Sequence, residues 1–215
     1  MTRLSKNLDF LTQKEATLKL VEREVSQGIN LLNDIRQPII TFFGSHKTEE
    51  GTPYYEHAYD TALQLGRLGY AILTGGGPGI MAAANKGGVD ASVPSIGFKA
   101  GLIQNEESDP DNLTESYAFN FLFTRRFFLG IKSEALVIYP GAFGTFNEMF
   151  EYLTLIQTGL VDRVPVVCVG KEFWEGLFDW FKSSPMREGY FVDNKDDLGL
   201  IKIVDTVEEV LEAVK

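Results

Sequence analysis

The feature that most constrains this chain is a repeated alternation between short, almost continuously apolar runs and segments of helical length. Runs rich in Val, Ile, Leu, Phe and Tyr occupy residues 38–43, 70–74, 94–98, 135–139, 164–169 and 201–204. Between most of them lie stretches long enough for helices, at 53–68, 79–88, 121–133, 145–158 and 173–182, and 206–214 closes the chain. Strands that are apolar at nearly every position are buried on both faces, and strands alternating with helices build a parallel sheet with right-handed crossovers. The pattern predicts an α/β, Rossmann-like, doubly wound domain whose mainly parallel sheet has six to seven strands flanked by helices. That single domain is expected over residues 37–215, with an N-terminal helical extension over 1–36; no internal repeat or linker divides the chain. In the extension Leu18, Val21, Val25, Ile29 and Leu32 recur at helical spacing, which predicts a helix over 14–35. Gly28 costs that helix about 1 kcal/mol relative to Ala, so it relies on docking. The acidic stretch 104–115 reads as a solvated connection.

Charge and the rarer residues narrow the function. Twenty Lys and Arg against 30 Asp and Glu leave a net charge of −10 over 215 residues. Such a charge repels a phosphate backbone, so no nucleic-acid partner is expected. A chain of this size buries roughly 70% of its unfolded surface and needs no disulfide or metal staple. No apolar run approaches the ~20 residues of a membrane span, and the first residues, MTRLSKNLDFLTQKE, lack the apolar core of a signal peptide. The single cysteine, Cys168, falls in a run expected to be a buried strand, which fits an inert thiol in a cytoplasmic protein. His46 and His57 are the only histidines, with no H-E-x-x-H and no Cys/His cluster, so no metal site is expected. His57 reads as a surface or packing residue of the 53–68 helix, whereas His46, just past a strand end, is better placed to touch a ligand. No G-x-S-x-G nucleophile turn is present.

Glycine is the compositional outlier: there are 21, and eight of them fall between residues 75 and 101. The turn Thr74-Gly75-Gly76-Gly77-Pro78-Gly79 joins a strand to a helix, where bare backbone amides and a helix N-terminus can hold an anion. It is not a dinucleotide fingerprint, because Ile80 stands where the last glycine belongs and no acid ends the next strand. Nor does a Gly-Lys-Ser/Thr follow, so neither a nicotinamide nor an ATP cofactor is expected. A second strand-to-helix turn carries Gly141 and Gly144, with Thr145 as a natural N-cap. Thr145 and Glu148 have the spacing of a capping box, in which Glu148 only returns a hydrogen bond to the Thr145 amide. Two anion-ready turns in one sheet support a different reading, in which both meet around one phosphate. Arg125 and Arg126, neighbours on an expected helix, point about 100° apart. Leu122 and Leu129 make their surroundings apolar, so at least one of the two arginines needs an anionic partner, a carboxylate or a ligand phosphate.

Together these segments resemble the Lonely Guy (LOG) family, the cytokinin-activating phosphoribohydrolases and related nucleotide nucleosidases. The family's marker P-G-G-x-G-T-x-x-E reads here Pro140-Gly141-Ala142-Phe143-Gly144-Thr145-Phe146-Asn147-Glu148. Residues 74–81 match its T-G-G-G-x-G-x-M turn, Phe43-Gly44-Ser45 its F-G-S turn, and Arg125-Arg126 its Arg-Arg/Lys pair, so the likeness spans about residues 38–169. Ala142 replaces the second motif glycine, and Asn147 an acid often found before the motif Glu. The resemblance implies hydrolysis of the N-glycosidic bond of a nucleoside 5′-monophosphate, AMP-like or a cytokinin riboside monophosphate, to free base and ribose 5-phosphate. It implies a phosphate held on the amides of Gly141, Ala142, Phe143, Gly144 and Thr145, with Gly75, Gly76 and Gly77 alongside. Gly44, Ser45, Thr74 and Arg126 would complete the binding surface. Glu148 would be the catalytic acid and Arg125 its partner, in a homodimer or higher homo-oligomer. Members of the family are often labelled lysine decarboxylases, yet Lys86, Lys99 and Lys132 have no recognisable setting for a Schiff base. The competing reading is a non-catalytic carrier of a nucleotide or phosphorylated cofactor, as in molybdenum-cofactor carriers. Tyr117, Phe119, Phe123 and Phe143 could stack on a base, and core packing explains each as well.

Overall fold

Seven parallel strands pair into one sheet in the computed structural model, which describes residues 12–101, 109–184 and 199–215. They are β1 (Ile39–Phe43), β2 (Ala71–Thr74), β3 (Ser95–Ala100), β4 (Glu115–Phe119), β5 (Ser133–Ile138), β6 (Val166–Val169) and β7 (Ile201–Val204). Their spatial order is β4-β3-β2-β1-β5-β6-β7. The helices are α1 (Lys14–Asp34), α2 (Pro53–Arg67), α3 (Ile80–Asp90), α4 (Leu122–Gly130), α5 (Phe143–Gln157), α6 (Lys171–Ser183) and α7 (Val207–Ala213).

Side-chain alternation along the strands explains why helices cover both faces. On one face Ile39, Phe43, Leu136 and Ile138 pack with Leu32 of α1, Phe128 of α4, Tyr152 of α5 and Trp174 of α6. On the other, Ile40, Phe42, Ala135 and Val137 pack with Leu65 of α2, Ala84 of α3 and Val210 of α7. Each fully buried large apolar side chain contributes roughly 1.5–3 kcal/mol, so these two layers are the main source of stability. The α/β, doubly wound architecture expected from the alternation is the one observed.

Chain direction across the sheet reverses at β1: the strands run outward to β4 on one side, then return to build β5, β6 and β7 on the other. In such sheets the loops at the carboxyl ends of the two switch strands part and leave a crevice. Here those strands are β1 and β5.

Three details depart from the sequence-based expectation. The first is β4, absent from the apolar runs: Glu115, Ser116 and Ala118 are exposed, and it is an edge strand paired only with β3. It begins where the expected acidic connection ends; residues 102–108 of that connection lie outside the described residues, and Pro110–Asn112 form a 3-10 turn. The second is the helix expected over 121–133, which ends at Gly130 so that β5 can start at Ser133. The third is the docking face of α1. Leu18, Val25 and Ile29 of the apolar stripe are 57%, 36% and 46% exposed, and the buried residues are Glu24, Gly28 and Leu32. Close approach sets that rotation, because a side chain at Gly28 would lie 2.6 Å from the Phe128 ring of α4. No helix among the described residues is long and apolar enough to cross a membrane.

Candidate functional site

Backbone hydrogen bonds bring three turns together over the β1/β5 crevice. Ser45 N–H donates to Pro140 C=O at 3.0 Å, Tyr139 N–H to Phe43 C=O at 2.8 Å, and Ile80 N–H to Ser45 C=O at 3.1 Å. The loop after β1 is thereby tied both to the turn after β5 and to the start of α3. Above them opens a cavity of about 440 Å³, lined by Gly44, Ser45, His46 and Lys47 from that loop. Gly75 and Met81 line it on one side, and Ala142, Phe143, Gly144, Thr145, Asn147 and Glu148 on the other. Leu122, Arg125 and Arg126 of α4 close the remaining wall.

Arg125 is clamped rather than extended into solvent. Its Nε donates to Phe98 C=O at 2.6 Å and its Nη2 to Gly75 C=O at 3.4 Å, so the ends of β3 and β2 fix the guanidinium plane. The remaining nitrogen, Nη1, stands 3.6 Å from Glu148 Oε1, an ion pair longer than a hydrogen bond. Both side chains are largely buried, at 12% and 15% exposed. Gly75 is required here, because a side chain at that position would run into Arg125 Nη2 and lie 2.8 Å from Met81 Sδ. Arg126 points away from its neighbour, and its Nε forms an ion pair with Glu151. The Tyr152 hydroxyl donates to Arg126 C=O; burial, with Glu148 and Glu151 nearby, pushes that phenol well up, so it stays a neutral donor.

The start of α5 decides between the two readings of Glu148. The helix begins at Phe143 with Ala142 as N-cap and no side-chain cap, two residues before the expected start at Thr145. Thr145 is thus inside the first turn, 5% exposed, and the Thr145–Glu148 capping box does not form at the N-cap. A capping box does occur in this chain, at Thr206 and Glu209 of α7. Freed from that role, Glu148 lies one turn further along α5, on its cavity side. The first intrahelical bond runs from Phe146 N–H to Ala142 C=O, so the amides of Phe143, Gly144 and Thr145 precede the helical ladder at the positive end of the helix dipole. Ala142 has φ −112° and ψ −153°, extended backbone that its methyl group does not strain.

Not every expected residue reaches the cavity. Thr74 is fully buried: its hydroxyl donates to Asn85 Oδ1 at 2.5 Å and accepts from Gly76 N–H at 2.9 Å. Gly76, Gly77 and Gly141 are not lining residues, and the space beside Gly141 is occupied by the Thr145 side chain. Phe119 is in the core and Tyr117 packs against it, whereas Phe143 is 93% exposed at the cavity rim. Lys47 is a lining residue that no motif marked, whereas Met81 closes the T-G-G-G-x-G-x-M turn and Leu122 belongs to the apolar surroundings of the arginine pair. Lys86 is paired with Glu50 at 2.9 Å, and Lys132 Nζ donates to the carbonyls of Leu32 and Ile35. His57 is not a lining residue; its Nδ1 bonds the Tyr139 hydroxyl at 2.9 Å. Among the described residues no cluster of three or more His, Cys, Asp and Glu is gathered as a metal ion requires.

A family model described as "Possible lysine decarboxylase" matches residues 81–214, which include Arg125, Glu148 and the whole second turn. The chain belongs to that family, the LOG family. Among curated LOG proteins, cytokinin riboside 5′-monophosphate phosphoribohydrolase LOG2 of Arabidopsis thaliana is 26% identical over 154 residues, 71% of each chain. The probable phosphoribohydrolase LOGL3 of Oryza sativa subsp. japonica is 27% identical over 150 residues, 69% of this chain and 70% of its own. Solved structures share the fold. The molybdenum cofactor binding protein of Rippkaea orientalis superimposes with a TM-score of 0.60 at 20% identity, covering 82% of this chain and 94% of that one. The Moco carrier protein of Chlamydomonas reinhardtii does so with a TM-score of 0.59 at 24% identity, covering 83% and 96%.

Proposed function

We propose that this LOG-family protein hydrolyses the N-glycosidic bond of a nucleoside 5′-monophosphate, releasing free base and ribose 5-phosphate. The observation that carries the reading is the Arg125–Glu148 pair, 3.6 Å apart in the wall of a cavity that ends on the open amides of α5. In a chain of net charge −10, Arg125 and Arg126 of the cavity wall are balanced by Glu148 and Glu151, and Lys47 adds one positive charge beside the amides that would hold a phosphate. The phosphate sits on the amides of Phe143, Gly144 and Thr145, which anchors the ribose away from the bond that breaks. As the C1′–N bond opens, the ribose becomes oxocarbenium-like. Glu148 stabilises that charge and orients the water whose oxygen adds to C1′; the base departs with the bonding electrons and gains a proton, balanced by the proton that the water gives up. Arg125 stays charged throughout and holds Glu148 and the departing base in register.

The names of the curated relatives make a cytokinin riboside 5′-monophosphate the first substrate to test, with AMP as the simplest nucleotide to set beside it. Self-association belongs to the same proposal, since Phe123 and Phe127 of α4 and Ile131 just past it are exposed at 54%, 48% and 41%. A second reading, a carrier of a phosphorylated cofactor, is favoured by the fold likeness to the two molybdenum-cofactor proteins. A carrier has no use for a carboxylate beside the ribose, so the place of Glu148 in the cavity wall supports the hydrolase reading. Incubating the purified protein with AMP, GMP, CMP, UMP and a cytokinin riboside monophosphate, then measuring free base and ribose 5-phosphate, separates the two. Release from any of them supports the hydrolase; binding without release across the panel supports the carrier.

A further inference from the structure

The helix that carries Arg125 has no cap of its own. Phe121 is its N-cap residue, with no side-chain cap, and α4 is only nine residues long. What occupies that end is a carboxylate from another part of the chain. Glu24, in the middle of α1 and fully buried, accepts from Asn120 N–H at 2.5 Å, Asn120 Nδ2 at 3.1 Å and Phe121 N–H at 3.4 Å. It also accepts from the Thr124 hydroxyl at 2.5 Å, one residue before Arg125. A buried carboxylate is costly unless its acceptor sites are filled, and here donors from one short segment fill them. Its charge also lies at the positive end of the α4 dipole.

The attachment is reciprocal. Lys132, just past α4, donates to the carbonyls of Leu32 and Ile35 at 2.5 Å and 2.6 Å and so caps the carboxyl end of α1. Between these two caps Gly28 admits the Phe128 ring. The two helices are therefore tied to each other at both ends, and α1 lies outside residues 81–214, over which the family model matches.

We infer that Glu24 is a positioning residue of the site: by capping α4 from the N-terminal helix, it fixes the height at which Arg125 meets Glu148. This rests on the reading of Arg125 and Glu148 as the reacting pair. Arg125 follows Thr124 directly, and its guanidinium must reach Phe98 C=O, Gly75 C=O and Glu148 together. A shift of the first turn of α4 breaks that three-way register without removing any group that touches substrate.

The test compares Glu24→Gln, Glu24→Ala and a control, Leu32→Ala, which loosens α1 without touching the cap. Three readouts are taken: kcat and KM with the best nucleotide of the panel, thermal midpoint, and amide hydrogen exchange over residues 120–126. Misplacing a reacting group by about 1 Å costs on the order of 100-fold in rate. Glu24→Ala should therefore lose about that much kcat with KM changed only a few-fold, and exchange over 120–126 should accelerate. Glu24→Gln, isosteric and able to keep one acceptor, should fall between it and the wild type and remains informative if the alanine variant does not fold. Leu32→Ala should lower the midpoint while kcat stays near the wild-type value. Wild-type kcat in a folded Glu24 variant, or an equal loss in Leu32→Ala, overturns the inference. The exchange measurement does not depend on turnover, so unchanged protection in the Glu24 variants overturns the seating by itself. A wild-type protein that cleaves no nucleotide overturns the hydrolase reading instead.

Discussion

Arg125 and Glu148 face each other at 3.6 Å from two different helices, α4 and α5, and neither is a helix cap. The arginine is held by a carbonyl of β3 and one of the turn after β2, the glutamate by its place on the cavity side of α5. An ion pair assembled in this way has its geometry set before any ligand arrives, which is what transition-state stabilisation requires.

Glu148→Gln keeps the size of the side chain and removes its charge. Turnover should fall by about 10²–10⁴-fold, the usual span for a general acid or base. Affinity for AMP, measured by calorimetry, should stay within a few-fold. Parallel loss of affinity and rate would instead make Glu148 a binding group.

For Arg125→Ala both quantities should fall, with nucleotide affinity lower by roughly 10–100-fold, as for losing a hydrogen bond to a charged partner. Arg125→Lys should not restore turnover, because one ammonium cannot reach Phe98 C=O, Gly75 C=O and Glu148 together. Wild-type affinity in the alanine variant would mean that the nucleotide sits elsewhere.

Gly75→Ala is the sterically sharpest probe, since the added methyl meets Arg125 and Met81. Overpacking of this kind costs about 1–3 kcal/mol of stability, read by denaturant titration. Turnover should fall far more than that loss explains, because Arg125 must leave its seat. Equal activity in a folded Gly75→Ala protein would contradict the clamp.

Stability should depend on pH through His57. Burial beside Tyr139 pushes its imidazole below the ordinary value, with Asp205 C=O and the carboxylates of Asp60, Glu208 and Asp205 pulling partly back. The unfolded chain then binds the proton more readily than the native one. The contribution is therefore complete above the ordinary histidine value, about 6.5, and is lost as pH falls below it. Thermal midpoints taken from about pH 7.5 down to about 5 should fall in the wild type and less steeply in His57→Asn. The carboxyls of Asp205 and Glu209 are held below the ordinary carboxylate value, and so they titrate below this window.

What could be read from the residues alone followed from periodicity and turn chemistry, which are local. Continuously apolar runs such as 38–43 and 164–169 could only be strands covered on both faces, and their alternation with helical segments implied the parallel, doubly wound sheet. Glycines placed at strand ends marked the turns after β2 and β5, and the nine residues from Pro140 to Glu148 carried the family likeness. Tertiary packing decided the rest. Whether Glu148 caps a helix or faces a cavity depended on α5 starting at Phe143, and that depended on how the turn after β5 meets Ser45. Strand β4, half-polar and at the sheet edge, is held by its pairing with β3 rather than by its own pattern. The inward face of α1 was the least legible, because an apolar stripe names a face only when hydrocarbon burial outweighs every other contact the helix makes. Here the close contact of Gly28 with Phe128 and the hydrogen bonds of Glu24 to α4 prevail over it. Both involve partners about a hundred residues away along the chain, and no local pattern encodes them.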